Sequence, residues 1–338
     1  MKLIKTTDAV GQVLCHDMTQ IIPGQYKGAR FRKGHIVTEE DIPVLLSMGK
    51  ENLYIFEMDE NKLHENDAAE VLCKICKGKN ITRGEVKEGK IELTAEIDGL
   101  LMIDREKLNA VNSIEELMIA TRKGDTAVKQ GDKLAGTRVI PLVIDKAKLQ
   151  QAKDVAAGEP ILNILPYMLK TAGVITTGSE VFHGRIKDQF TPVLKEKLKA
   201  YGISVTSHIL CDDDAENIKE AIKLLRGNVD MILCTGGMSV DPDDQTPGAI
   251  KLSGTDIVTY GAPVLPGAMF LMGYCQDGTP IMGLPGCVMY AKATIFDLVL
   301  PRIAAGVRLT KADFVAYGEG GLCLGCEKCT YPHCPFGK

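Results

Sequence analysis

A chain of 338 residues has room for about two domains, and its 45% hydrophobic and 25% charged content is that of an ordinary globular protein. The net charge of −4 argues against non-specific nucleic-acid binding as its main task. No apolar run approaches the ~20 residues that span a bilayer, and Met1-Lys-Leu-Ile-Lys5 is charged too early for a secretory leader; a cytoplasmic protein with no membrane partner is expected.

Residues 1–160 show no alternation of strand and helix. Alternating apolar runs at Asn52–Phe56, Lys90–Ala95 and Ala135–Val143 predict strands, and Glu39–Met48 and Asn66–Lys77 predict helices. The mixture implies a strand-rich α+β domain. Within it, Met18–Thr38 holds no Asp or Glu but carries Lys27, Arg30, Arg32, Lys33 and His35 among Pro23, Gly24, Gly28 and Gly34. This is either a basic loop that grips an oxyanion through the planar Arg fork or a solvated hairpin. In His64-Glu-Asn-Asp67, Asn66 or Asp67 is expected to cap the following helix.

Lys148–Glu159 reads as a surface connector or helix end. From there the rhythm becomes strand, helix, strand. Ala172–Thr177, Ile203–Leu210, Met231–Cys234, Ile257–Val264, Met269–Tyr274 and Pro280–Leu284 are predicted strands. Asp188–Tyr201, Ala215–Arg226 and Val288–Ala305 are predicted helices, the last a long closing one. Residues 161–310 thus predict a three-layer, mostly parallel α/β domain, and residues 311–338 a short Cys-rich tail.

Three loops would follow strand ends in this second domain. The first is Thr176-Thr177-Gly178-Ser179-Glu180, with Gly184 and Asp188 beyond it; the second is Thr235-Gly236-Gly237 leading to Ser239; the third is Leu284-Pro285-Gly286. Glycines at a strand end let the backbone turn and bring bare N–H groups up to a ligand. A parallel sheet gathers such loops on one edge. Asp241, Asp243 and Asp244 beside the second loop suit a divalent cation such as Mg²⁺ bridging protein and phosphate. Asp214 is expected to cap the helix after Asp212-Asp-Asp, and His183 to be an exposed loop residue.

These blocks, T-G-S-E, G-x-I, G-G-M-S-V-x-x-x-D and L-P-G in that order across residues 170–308, resemble the molybdopterin-binding domain of molybdenum cofactor biosynthesis proteins. The likeness is greatest to the molybdopterin molybdenumtransferases, which insert molybdate into adenylylated molybdopterin with a divalent metal. It implies catalytic roles for Glu180, Asp188 and Asp244. It implies cofactor binding by Thr177, Gly178, Gly236, Gly237, Ser239, Thr246, Pro285 and Gly286; the residues themselves add molybdate met by Lys27, Arg30 and Arg32, and Mg²⁺ held by Asp241 and Asp244. It further implies a homo-oligomer. Asp241 stands where those transferases have Gly, Ser179 where Asp or Asn is usual, and Cys287 where Asn is usual. Asp244-Gln-Thr246-Pro247 resembles the related adenylyltransferases, as does Asp188. Transfer of molybdate, a non-catalytic carrier or sensor acting with a molybdoenzyme, and adenylyl transfer from ATP are the three readings.

Eleven cysteines, an odd number, argue for free thiols rather than a disulfide framework. Cys15, Cys211, Cys234, Cys275 and Cys287 lie in or near apolar segments. Cys323, Cys326, Cys329 and Cys334 crowd into the tail at x2, x2 and x4 spacing, near His333, and can converge on one zinc ion or an iron–sulfur cluster.

Overall fold

Two units divide the chain: Met1–Ile97 with Leu101–Gly124 and Lys129–Ile164, and Leu165–Lys338 with Asp98–Leu100 and Asp125–Val128. The structure, a computed structural model, describes residues 2–55, 59–239, 241–242 and 244–338. Phe56 of the first expected strand and Val240 and Asp243 of the glycine loop lie outside the described residues.

In the first unit, Lys90–Ala95 is a strand whose Ile91, Leu93 and Ala95 point into the core, as the period-2 pattern predicts. It pairs antiparallel with Ile81–Arg83 and with Lys133–Val139, which pairs with Leu117–Thr121. The helix Glu65–Cys76 packs on this sheet and buries Ala68, Ala69, Leu72 and Cys76. Of the two readings, connector or helix end, the helical one holds, and Lys146–Ala156 is a complete helix. Leu149, Ala152 and Ala156 are its buried stripe, and its Lys and Gln residues coat the outer face. Met18–Ile22 and Tyr26–Phe31 form an antiparallel hairpin.

The second unit is built on β1 (Thr171–Thr177), β2 (Ser204–Cys211), β3 (Met231–Thr235), β4 (Asp256–Tyr260), β5 (Leu271–Tyr274) and β6 (Pro280–Leu284). They form one sheet in the order β2-β1-β3-β6-β5-β4. The first four pair in parallel, and β5 runs antiparallel to both its neighbours. The helices are α1 (Ser179–Phe182), α2 (Phe190–Lys199), α3 (Ala215–Leu225), α4 (Thr246–Leu252), α5 (Ile295–Ala304) and α6 (Lys311–Val315). Val174, Leu233 and Met282 face Leu194 and Leu198 of α2 and Phe296 and Val299 of α5. Ile175, Ile232 and Ile281 face Ile218 and Ile222 of α3 and Ile250 of α4. Covering both faces explains why the central strands read as unbroken apolar runs. The result is a three-layer α/β unit.

The expected closing helix is split. Gly286–Met289 is a 3-10 turn, the chain then leaves helical geometry, and α5 starts only at Ile295. Thr294 and Asp297 form a reciprocal capping box there. The segment after residue 310 lies within the second unit. Phe336 is only 3% exposed in the core that holds Phe296 and Val299, and the Gly337 amide donates to the Gly320 carbonyl at 2.9 Å.

Candidate ligand site at the sheet edge

Because β2, β1, β3 and β6 are parallel, their carboxyl ends share one edge. The chain leaves β1 for β2 on one side and then crosses to β3 on the other. The crevice between β1 and β3 is therefore the topological switch point, where ligands bind in open α/β sheets. The first two glycine loops flank it, and the Leu284-Pro285-Gly286 loop follows the next strand.

At this point the two loops touch through their backbones. Gly236 has φ +87°, and a Cβ there would stand 2.2 Å from the Thr177 carbonyl oxygen. The Thr177 hydroxyl is 3.2 Å from that of Thr246, which donates to the Gly236 carbonyl at 2.9 Å. The Thr246 amide donates to the Gly237 carbonyl. The Met238 side chain is buried and lies where a Cβ on Gly283 of β6 would meet its Cε at 2.5 Å. Asp244 accepts from the Ser239 amide at 2.6 Å, and its own amide donates to the Asp241 carbonyl. The loop is thus closed on itself by its own polar groups.

The acids have defined employment. Asp213 accepts from the Ser179 amide at 2.8 Å and from the Ser179 hydroxyl at 3.0 Å, so a carboxylate occupies the donors of the first loop. Asp214 caps α3 through the Glu216 and Asn217 amides, as expected. Asp188 accepts from the Phe190 and Thr191 amides and lies 3.3 Å from His208 Nε2. Burial would raise its carboxyl, but the hydroxyl and amide of Thr191, the Phe190 amide and nearby His208 outweigh that and hold it below the usual carboxylate range. Glu180 is exposed, with its carboxylate folded over Gly178. Ser179, Asp213, Asp214, Ala215 and Gln245 line an open cavity of about 560 Å³, within the usual range of small-molecule sites.

Pro285 and Gly286 reach the same edge but do not start a long helix. The N-terminus of α5 lies further on, at Ile295, and is capped by its own Thr294 and Asp297. Among the described residues, no group of three His, Cys, Asp or Glu could hold a metal ion; Asp241 and Asp244 offer at most a partial ligand set.

Lys27, Arg30 and Arg32 belong to the first unit, exposed on or just after the Met18–Phe31 hairpin. Beside it, Asp17 accepts from the Lys33 amide at 2.8 Å, and the buried His16 Nδ1 has no hydrogen-bond partner among the described residues. His64, not Asn66 or Asp67, caps the next helix: its Nδ1 accepts from the Asn66 amide, and its Nε2 is 2.9 Å from the Cys15 carbonyl oxygen. Burial pushes the pKa of both histidines down. Asn66 instead accepts from the Gly89 amide. His183 is exposed, as expected.

Sequence reading missed two participants. The Asp213 contact with Ser179 depends on two loops meeting and has no local signal. His208 stands in the alternating edge strand Ser204–Cys211, and only the pairing of that strand with β1 brings it to Thr176 and Asp188.

Residues 173–305 match the family model described as "Probable molybdopterin binding domain", and residues 3–57 match a domain of unknown function (DUF8806). A "CinA-like protein" of Mycolicibacterium vanbaalenii is 36% identical over 97 residues, which is 28% of this chain and 23% of that protein. The chain thus spans under a quarter of the length of the first curated relatives it matches. A "Putative molybdopterin biosynthesis protein" of Methanocaldococcus jannaschii is 24% identical over 331 residues, covering 89% of this chain and 73% of that protein. Among solved structures, the molybdopterin biosynthesis enzyme MoaB of Thermus thermophilus aligns at 22% identity and a TM-score of 0.33, covering 41% of this chain and 98% of its own. Over residues 173–305 the chain is thus similar to proteins with a probable molybdopterin-binding domain.

Proposed function

We propose that the second unit binds molybdopterin, or its adenylate, in the crevice between β1 and β3, and that the protein acts in cofactor maturation by inserting molybdate. The observation that carries this reading is the Gly236 backbone laid against Thr177 at the switch point, within the stretch that matches the molybdopterin-binding model. Phosphate oxygens would take the amides around Gly178, Gly236 and Gly237, displacing Asp213 from Ser179. A Mg²⁺ ion uses one or two carboxylates plus substrate phosphates, so Asp244 with Asp241 fits it only in company with the ligand. Glu180 and Asp188 would orient the transferring oxygen; the Arg30 and Arg32 forks, on the first unit, are a separate place where an oxyanion such as molybdate would bind. The chemistry is charge neutralisation and positioning.

Calorimetry of the whole chain with adenylylated pterin, followed by turnover with molybdate and Mg²⁺, tests both steps. Absence of binding overturns the site. Binding with no molybdenum inserted, and no effect of Asp244→Asn, overturns the transferase reaction. A second reading, a non-catalytic carrier that serves a molybdoenzyme, is favoured by one observation: Asp188 and Asp244 already spend their carboxylates on backbone amides. Tight binding without turnover selects it, whereas pyrophosphate release from ATP would select adenylyl transfer.

A further inference from the structure

The C-terminal segment is held at both ends and unsupported in the middle. At its start, Leu265 and Cys323 exchange backbone bonds with the segment: the Leu265 amide donates to the Gly321 carbonyl and the Cys323 amide to the Leu265 carbonyl, both at 2.8 Å. At its end, Phe336 is buried and Gly337 bonds back to Gly320. The Tyr331 hydroxyl donates to the Asp297 carbonyl at 3.0 Å. Between these anchors, residues 324–330 form neither helix nor strand, and Leu324 is 69% exposed. Such a stretch has no apolar core of its own, which is the usual setting for a metal or disulfide cross-link.

Cys323, Cys326, Cys329 and Cys334 all line one cavity of about 270 Å³ with Tyr331 and Phe336. All four are free thiols, and Cys326 and Cys329 are exposed. The sulfurs share the cavity wall without converging: no three of them stand in ligating geometry. Their backbones lie in one loop tied at Gly321–Cys323 and at Gly337, and ligation would require side-chain rotation and movement of 324–330 to bring the sulfurs together. Lys292 lines the same cavity, and Lys328 lies between two of the cysteines; both would offset the negative charge of four thiolates.

We propose that Cys323, Cys326, Cys329 and Cys334 are the four ligands of one thiolate-bound metal centre that closes the C-terminal loop. Each thiol gives up its proton to solvent on ligation, so binding tightens as pH rises. Four sulfurs in a dense cluster suit tetrahedral zinc or an iron–sulfur cluster, and the two differ in colour and composition.

The test uses the whole chain, purified both aerobically and under strict anaerobiosis, with metal and acid-labile sulfide analysis and visible spectra. The anaerobic sample is also reconstituted with Zn²⁺, with Co²⁺ and with iron plus sulfide. One zinc per chain without colour, or iron with matching sulfide and visible absorption, supports the site and identifies its occupant. The double variant Cys326→Ser/Cys329→Ser, at two exposed positions, is expected to lower bound metal at least tenfold while circular dichroism stays unchanged. Iodoacetamide should label Cys326 and Cys329 slowly in the loaded protein and quickly after chelation. Metal-free protein from both preparations and all reconstitutions overturns the proposal, as does full metal retention by the double variant.

Discussion

Replacing Gly236 by Ala should damage both the fold around the switch point and its ligand site. The residue has φ +87°, where an L side chain is strained by roughly 1–2 kcal/mol. The added methyl would stand 2.2 Å from the Thr177 carbonyl oxygen and 2.7 Å from its hydroxyl. Neither can yield freely, because Thr177 ends a central strand paired on both sides. Strain and displacement together should cost about 3 kcal/mol, near the upper end for a distorted backbone site. At about 2–4 °C per kcal/mol for a unit of this size, the melting temperature should fall by roughly 6–12 °C. Gly237→Ala is the control: its φ is +53°, and the nearest atom to a new Cβ is the Thr246 side-chain hydroxyl at 2.9 Å, so about 1 kcal/mol is expected. Scanning calorimetry gives the stabilities, and titration with the adenylylated pterin gives the affinities. If Gly236→Ala matches wild type in both, or proves milder than Gly237→Ala, the close-approach argument is wrong.

Asp213→Ala frees the Ser179 amide and hydroxyl, so a phosphate-bearing pterin should bind about tenfold tighter, near 1.4 kcal/mol for one displaced charge-assisted contact. Weaker binding by titration would show that Asp213 helps hold the ligand instead. Phe336→Ala should cost about 3–5 kcal/mol in urea unfolding, and a loss under about 1 kcal/mol would mean the C-terminal segment is not part of the core. Asp188 and Asp230 are both held below the ordinary carboxyl range by amide hydrogen bonds that outweigh burial. The unfolded chain therefore takes up their protons first, and the stability they contribute is present above pH ~4 and lost as pH falls through the depressed folded values. A chemical-denaturation series from pH 6 to pH 2 should show this acid limb flattened in Asp188→Asn/Asp230→Asn, and an unaltered limb would refute the assignment.

The second unit was legible because its central strands are buried on both faces and two of them run straight into glycines. Thr171–Thr177 and Met231–Thr235 announce themselves as apolar runs stopped by Gly178 and Gly236, and parallel pairing does the rest. Its closing helix was misjudged because apolar residues run on from Val288 to Ala305. The Thr294-to-Asp297 capping pattern that starts α5 is present in the sequence and was outweighed by that run. Lys146–Ala156 was only partly legible because of its charged outer face, although Leu149, Ala152 and Ala156 keep helical spacing. The His64 cap is of another kind: His is not a favoured capping residue, and its imidazole is fixed there by the Cys15 carbonyl, a contact 49 residues away in the chain. Contacts between distant loops leave no local trace.

Met238 sits at the centre of the candidate site yet points away from it, its thioether seated over the bare backbone of Gly283. That peg, with the Thr246 and Asp244 hydrogen bonds, sets the loop before any ligand arrives. A ligand received there as proposed would meet Gly236–Ser239 already set, with less conformational freedom to extinguish on association. The peg also gives weight to a position outside the crevice: any side chain at Gly283 would unseat Met238 and disturb Gly236 and Gly237 from behind.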